Sequence, residues 1–220
     1  MKITRKKAIL LHSSVPEDWY EASVKRNPFQ FLWHKLRARK LREYSRGLGG
    51  YILDIGCADG YFTHIIRKST NSSKVVGIDI LSSSIKYAKR RYEHDRAMLF
   101  LPGDAHALPF AKNSFHVVYS IESLEHVCEP KKVLSEIYRV LKPQGTVIIL
   151  IPAETVLFKL IWLFWVNTYG RIWKGTHLHT FEPSKLPEMM EKKGFIIEKH
   201  EYFILGMLLI VKARKNKVNS

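Results

Sequence analysis

The sequence predicts an α/β fold built on a mostly parallel, seven-stranded sheet that ends in an antiparallel hairpin. Three observations carry that prediction. From Tyr51 onward, short β-branched runs bounded by Gly, Pro, Asp or Ser alternate with stretches of helical period. The first five runs are spaced as βαβ units require. The last two runs are joined by a short turn, and strands joined that way cannot be parallel. With 220 residues, 46% apolar and 25% charged, the chain can bury one real core, which excludes wholesale disorder, collagen and coiled coil.

The elements follow in order. Residues 1–46 form a basic N-terminal arm or cap, whose only early apolar run, Ala8 to Leu11, is too short for a signal peptide. Asn27 to Arg46 reads as an amphipathic basic helix, with Phe31, Leu32, Leu36 and Leu41 on its apolar face. Residues 47–215 form the main domain. Its strands are YILDI, KVVGIDI, MLFLP, HVVYS and TVIILIP, then FIIEKHEYF and MLLIVKARK, with helices over Tyr61–Lys68, Ser83–Tyr92, Pro130–Leu141 and Pro183–Lys193. Pro143 and Gly145 follow the third of those helices and stop it. An insertion at 153–175 carries Val156 to Val166, apolar except for Lys159, with Trp162, Trp165 and Trp173 beside Tyr169, Arg171 and Lys174. Eleven residues cannot cross a bilayer. Tryptophan with flanking cations suits a helix lying in a membrane interface, or a lid over an apolar substrate. Residues 216–220 form a basic tail.

The net charge of +16 is concentrated at the ends: residues 1–46 hold twelve Lys/Arg against four acids, and the last ten residues hold four against none. Such ends suit an anionic membrane surface or nucleic acid, and charge alone does not choose. The two cysteines, Cys57 and Cys128, form neither a disulfide framework nor a thiolate zinc site, which points to a cytoplasmic setting.

The most specific stretch is Leu53-Asp54-Ile55-Gly56-Cys57-Ala58-Asp59-Gly60, where the first strand turns into the first crossover helix. Glycines there let a ligand approach the backbone, and the helix start offers free N–H groups. Asp79 ends the second strand, where it can accept hydrogen bonds from ribose hydroxyls, and Asp104 ends the third, where it can take an adenine amino proton. This set resembles the class I S-adenosylmethionine-dependent methyltransferases over residues 48–213. The resemblance implies a Rossmann-like sheet with helices on both faces. It also implies a cofactor site of Asp54, Gly56, Cys57, Gly60, Asp79, Ile80, Asp104, Ala105 and Ser120. Cys57 reads as a small apolar residue rather than a nucleophile. Ala58 stands where that family usually has Gly, and His116 where Asp is common. A NAD dehydrogenase is the runner-up, but no glycine follows two places after Gly60.

After the fourth strand comes Ser120-Ile121-Glu122-Ser123-Leu124-Glu125-His126. As a helix it would put Glu122, Glu125 and His126 on one face, where they could bind a divalent ion such as Mg²⁺. His177, in Gly175-Thr176-His177-Leu178-His179 just after the tryptophan-rich segment, is available as a further ligand. ExxEH, an apolar insertion and GTH resemble the ubiquinone-biosynthesis O-methyltransferases, a likeness that implies metal ligation by Glu122, Glu125, His126 and His177. Without metal, His126 or His177 is the candidate general base. The expected activity is methylation, by preference at oxygen, of a small apolar or lipid-like acceptor by a peripheral membrane enzyme. Two alternatives stand beside it: an RNA methyltransferase gripping phosphates with the basic arm, since ExxEH with a later His also resembles small-RNA 2′-O-methyltransferases, and a non-catalytic cofactor-binding subunit.

Overall fold

The computed structural model describes residues 9, 10, 12–153, 155–168, 170–179, 181, 182 and 184–216. Among them, seven strands form one sheet: β1 (Gly49–Ile55), β2 (Asn71–Asp79), β3 (Met98–Pro102), β4 (Phe115–Ile121), β5 (Leu141–Pro152), β6 (Phe195–Phe203) and β7 (Leu208–Lys215). Their order is β3-β2-β1-β4-β5-β7-β6. The first five are parallel, and β7 runs antiparallel to both β5 and β6, as the short connection requires. The chain steps outward from β1 to β3 and then returns to β4 on the other side of β1. That reversal opens a crevice beyond the carboxyl ends of β1 and β4.

Helices accompany the sheet: α1 (Trp19–Arg26), α2 (Pro28–Ser45), α3 (Tyr61–Ser69), α4 (Ser82–Arg91), α5 (Pro130–Val140), α6 (Val156–Asn167) and α7 (Lys185–Lys192). Neighbouring strand residues go to opposite cores, because a strand's side chains alternate. Ile52, Val117 and Ile148 pack with Leu41 and Tyr44 of α2 and Ile65 and Ile66 of α3. Leu53, Val118 and Ile149 pack with Val133 and Ile137 of α5 and Met190 of α7. Helices therefore cover both faces. His116 has a structural task at the amino end of β4: its Nδ1 accepts the Tyr51 N–H at 3.0 Å.

Two sequence expectations need correction. Of the expected apolar face of α2, Leu41 is buried, beside His34, Arg37, Ala38, Tyr44 and Ser45, whereas Leu36 is half-buried and Phe31 and Leu32 are about half exposed. Polar side chains are tolerated inside because they pair there, Arg37 with His34 and Glu122. Part of the basic face is also internally compensated, Lys40 pairing with Glu201 of β6 at 2.7 Å. In α6 the tryptophans do not face outward. Trp162 and Trp165 are half-buried, and the outer stripe is made instead by Val156, Leu157, Leu160, Ile161, Leu163 and Phe164. That stripe follows the i, i+4, i+8 spacing of one helix face. No described helix is long and apolar enough to cross a membrane. Lys2, Arg5, Lys6, Lys7 and Tyr169 lie outside the described residues, as does residue 217 onward of the basic tail.

Candidate active site

The turn after β1 is built by backbone conformations that glycine permits. Gly56 and Gly60 have φ of 76° and 80°. A Cβ on Gly56 would overlap the Ser123 hydroxyl, and one on Gly60 would meet Tyr92 and Phe100 at 2.7 and 2.9 Å. The Gly56 and Cys57 N–H groups donate to the Ile78 carbonyl at 2.8 and 3.0 Å, which ties this turn to the end of β2. Ala58 takes the left-handed region without being glycine, at φ 45°. Its N–H donates to Asp79 Oδ2 at 3.0 Å, and the Leu81 N–H donates to Asp79 Oδ1 at 2.9 Å. Two backbone donors thus aim the Asp79 carboxylate, although burial raises its pKa overall.

On the next strand, Asp104 Oδ1 accepts from the His106 backbone N–H at 2.8 Å and from His106 Nδ1 at 2.6 Å. His106 Nε2 accepts the Glu129 N–H, so its proton belongs on Nδ1. The cleft between these residues holds about 1070 Å³ with its open mouth included. Gly56, Asp79, Ile80, Asp104 and Ala105 line it as expected.

Asp54, Cys57, Gly60 and Ser120 do not line it. Asp54 is 1% exposed and accepts the Thr63 hydroxyl at 2.6 Å, and burial pushes its carboxyl up to about 7. Cys57 and Ser120 are likewise buried, Cys57 closing on Gly77. These residues shape the turn from behind. Residues of the lining that sequence reasoning missed include Ala58, Leu81, Ser84, His106 and Ser123. Also missed was a whole wall from the N-terminal arm, including His12, Val15, Trp19 and Tyr20.

Beyond β4 the expected helical face does not form. Glu122 has φ 49°, and only Leu124–His126 makes a single 3₁₀ turn. Glu122 lines the cleft, but its carboxylate is ion-paired with the buried Arg37 guanidinium, which separates it from the predicted metal set. Glu125, His126 and His177 do converge, each offering a ligand atom within 4.8 Å of the others. The Leu178 and His179 N–H groups donate to the Glu125 carbonyl at 2.9 and 3.1 Å, clamping the two loops together. His126 Nδ1 donates to the Thr176 carbonyl at 2.9 Å, leaving Nε2 as the acceptor. Burial, then His177 and His12, hold His126 well below the usual imidazole range. His12 lies edge-on to His126 with ring centroids 4.7 Å apart. His179 goes elsewhere, to the Cys128 carbonyl. His177 stacks on Trp162 at 4.2 Å and faces Phe158. The inner face of α6 therefore forms part of the site.

Residues 53–149 match the family model for the methyltransferase domain. The chain carries a class I S-adenosylmethionine-dependent methyltransferase domain. Among curated relatives, the methyltransferase is 27% identical to the demethylmenaquinone methyltransferase of Lactococcus lactis, over 99% of this chain and 94% of that one. It is 28% identical to the demethylmenaquinone methyltransferase of Staphylococcus aureus, over 88% of each. Its fold is shared by an S-adenosylmethionine-dependent methyltransferase from Mesorhizobium loti, with a TM-score of 0.67 and 19% identity, covering 91% of this chain and 98% of the other. S-adenosylmethionine is thus the cofactor, and the cleft containing Gly56, Asp79 and Asp104 has the donors and acceptors suited to its backbone, ribose and adenine contacts. The cofactor brings its own leaving group, so the protein's task is to align the acceptor with the sulfonium methyl.

Proposed function

We propose that this methyltransferase acts on a lipid-like quinol of the demethylmenaquinone kind, taken from a membrane surface. One observation carries the reading: α6 turns an apolar stripe outward and stacks Trp162 on His177 inward, so a lipid-facing surface adjoins the reacting chamber. Six large apolar side chains on one exposed helix face are more than an ordinary surface helix shows. Lys159 within the helix, with Arg171 and Lys174 after it, suits anionic headgroups. The names of the relatives point to the same class of acceptor.

A quinol hydroxyl that has lost its proton supplies the electron pair for methyl transfer. His126 is the group we assign to that proton: it is neutral, its tautomer is set by Thr176, and Nε2 is its accepting atom. The cluster of Glu125, His126 and His177 supports a second arrangement. One carboxylate and two imidazoles are a donor set that fits a divalent ion, which would supply Lewis acidity toward a bound hydroxyl. Calorimetric titration with Mn²⁺ distinguishes them, since heat lost in a His177→Ala variant marks a bound ion.

The direct test supplies methyl-labelled S-adenosylmethionine and demethylmenaquinol in phosphatidylglycerol vesicles, followed by mass spectrometry to place the methyl on oxygen or ring carbon. Label in the lipid phase is expected, and label that partitions into added RNA or protein instead overturns the reading. Leu160→Glu with Phe164→Glu should abolish vesicle flotation while leaving Tm unchanged. Flotation that survives the double change would refute the docking surface.

A further inference from the structure

The N-terminal segment lies across the cofactor cleft. His12, Val15, Pro16, Trp19 and Tyr20 form one of its walls, and Asp79, Ile80 and Asp104 belong to the rest of the lining. α1 has eight residues, too few to persist as a helix without docking, and Asp18 makes no side-chain cap at its start. A residue of the cofactor turn provides the cap. The Glu21 N–H, in the first turn of α1, donates to Asp59 Oδ2 at 3.1 Å, while Asp59 Oδ1 accepts the Tyr61 N–H at 3.0 Å at the start of α3. One carboxylate therefore ties together α1, α3 and the turn that begins at Gly56.

The Glu21 side chain completes the latch. It pairs with Arg91 at 2.8 Å and accepts the Tyr87 hydroxyl at 2.5 Å, both on α4. Ser23 adds a hydrogen bond to His34 Nε2 at 2.9 Å. Behind α1 the chain passes through Asn27, extended at φ −134° and ψ 114°, where the following proline disfavours helix. Beyond that joint α2 is fixed in the core by Ala38, Leu41 and Tyr44. α1 is thus held by these polar contacts and by Tyr20, whose ring packs on Phe62 at 5.5 Å, on one side of a joint, and α2 by core burial on the other.

We propose that Asp59 and Glu21 are positioning residues for cofactor binding: they hold α1 closed over S-adenosylmethionine, and α1 swings about Asn27 when the cofactor is exchanged. A latch made in the closed form acts on release more than on entry. The inference needs only the cofactor and is independent of which acceptor is methylated.

The test is stopped-flow release of S-adenosylhomocysteine from the full chain, followed by tryptophan fluorescence, for which Trp19 and Trp173 are suited by a ring separation of 5.6 Å. Glu21→Gln should speed release about tenfold and alter association by less than about threefold. Release at the parent rate in Glu21→Gln overturns the proposal. Hydrogen exchange on the parent protein gives an independent reading: the α1 amides should exchange more slowly with S-adenosylhomocysteine bound, and equal exchange with and without it also overturns the proposal.

Discussion

Asp54 ties the stability of the methyltransferase to pH in a direction opposite to that of most carboxylates. Burial, opposed by the Thr63 hydroxyl, pushes its carboxyl from an ordinary 3.8 up to about 7. A raised carboxyl pKa means that the folded protein keeps a proton that the unfolded chain gives up. Stability from this group is therefore complete below about pH 4, falls as pH rises toward 7, and is flat above that. Each pH unit of the window is worth about 1.4 kcal/mol, so the three units sum to about 4 kcal/mol. Asp54→Asn removes the titration and keeps an acceptor for Thr63. Urea unfolding of both proteins between pH 4 and pH 8 isolates the effect, because Asp59 and Asp79, which burial also raises, titrate in each. The parent should lose about 4 kcal/mol relative to Asp54→Asn across that range. A difference that stays constant with pH would refute the assignment of a buried, protonated Asp54.

Gly56→Ala should abolish S-adenosylhomocysteine binding measured by calorimetry, because its Cβ would overlap Ser123 in a left-handed backbone. Gly175→Ala, where no neighbour lies within 4 Å, should keep binding and lose only about 1 kcal/mol of unfolding free energy from its positive φ. Arg37→Met leaves the Glu122 carboxylate without its buried partner and should cost about 3–5 kcal/mol in denaturant unfolding. Arg37→Met with Glu122→Gln removes both charges and should recover at least about half of that loss.

The fold was legible because every strand but β3, an apolar MLFLP, carries β-branched residues, and each crossover helix has its own apolar period. The hairpin was legible because so few residues join β6 to β7. Asp79 and Asp104 were legible from their places at strand ends, where the topology leaves only the crevice for them to face. Glu122 was not. Its helical spacing with Glu125 and His126 is real in the sequence, but a left-handed residue after β4 and a buried arginine 85 positions earlier redirect it. Nothing local announces a partner at that distance. The wall from the N-terminal arm was hidden for a different reason: its charge dominates its composition, and the residues that line the cleft are the few apolar and aromatic ones between the charges.

Both segments outside the α/β core end at the same imidazole. His12, from the N-terminal arm, meets His126 edge-on at 4.7 Å, and His177, from the loop that follows α6, meets it at 5.0 Å. Trp19 and Trp173 close the same contact from the same two segments. The sheet supplies Gly56, Asp79 and Asp104 to the lining of the cleft, and the two added segments supply His12, Trp19 and Trp173 to the same lining. Aromatic contacts link the two added segments, so each helps to place the other. A change on the outer face of α6 can therefore reach the reacting chamber by a short path, Trp162 to His177 to His126. On the proposed reading, docking at a lipid surface and ordering of the acceptor site are coupled through that stack.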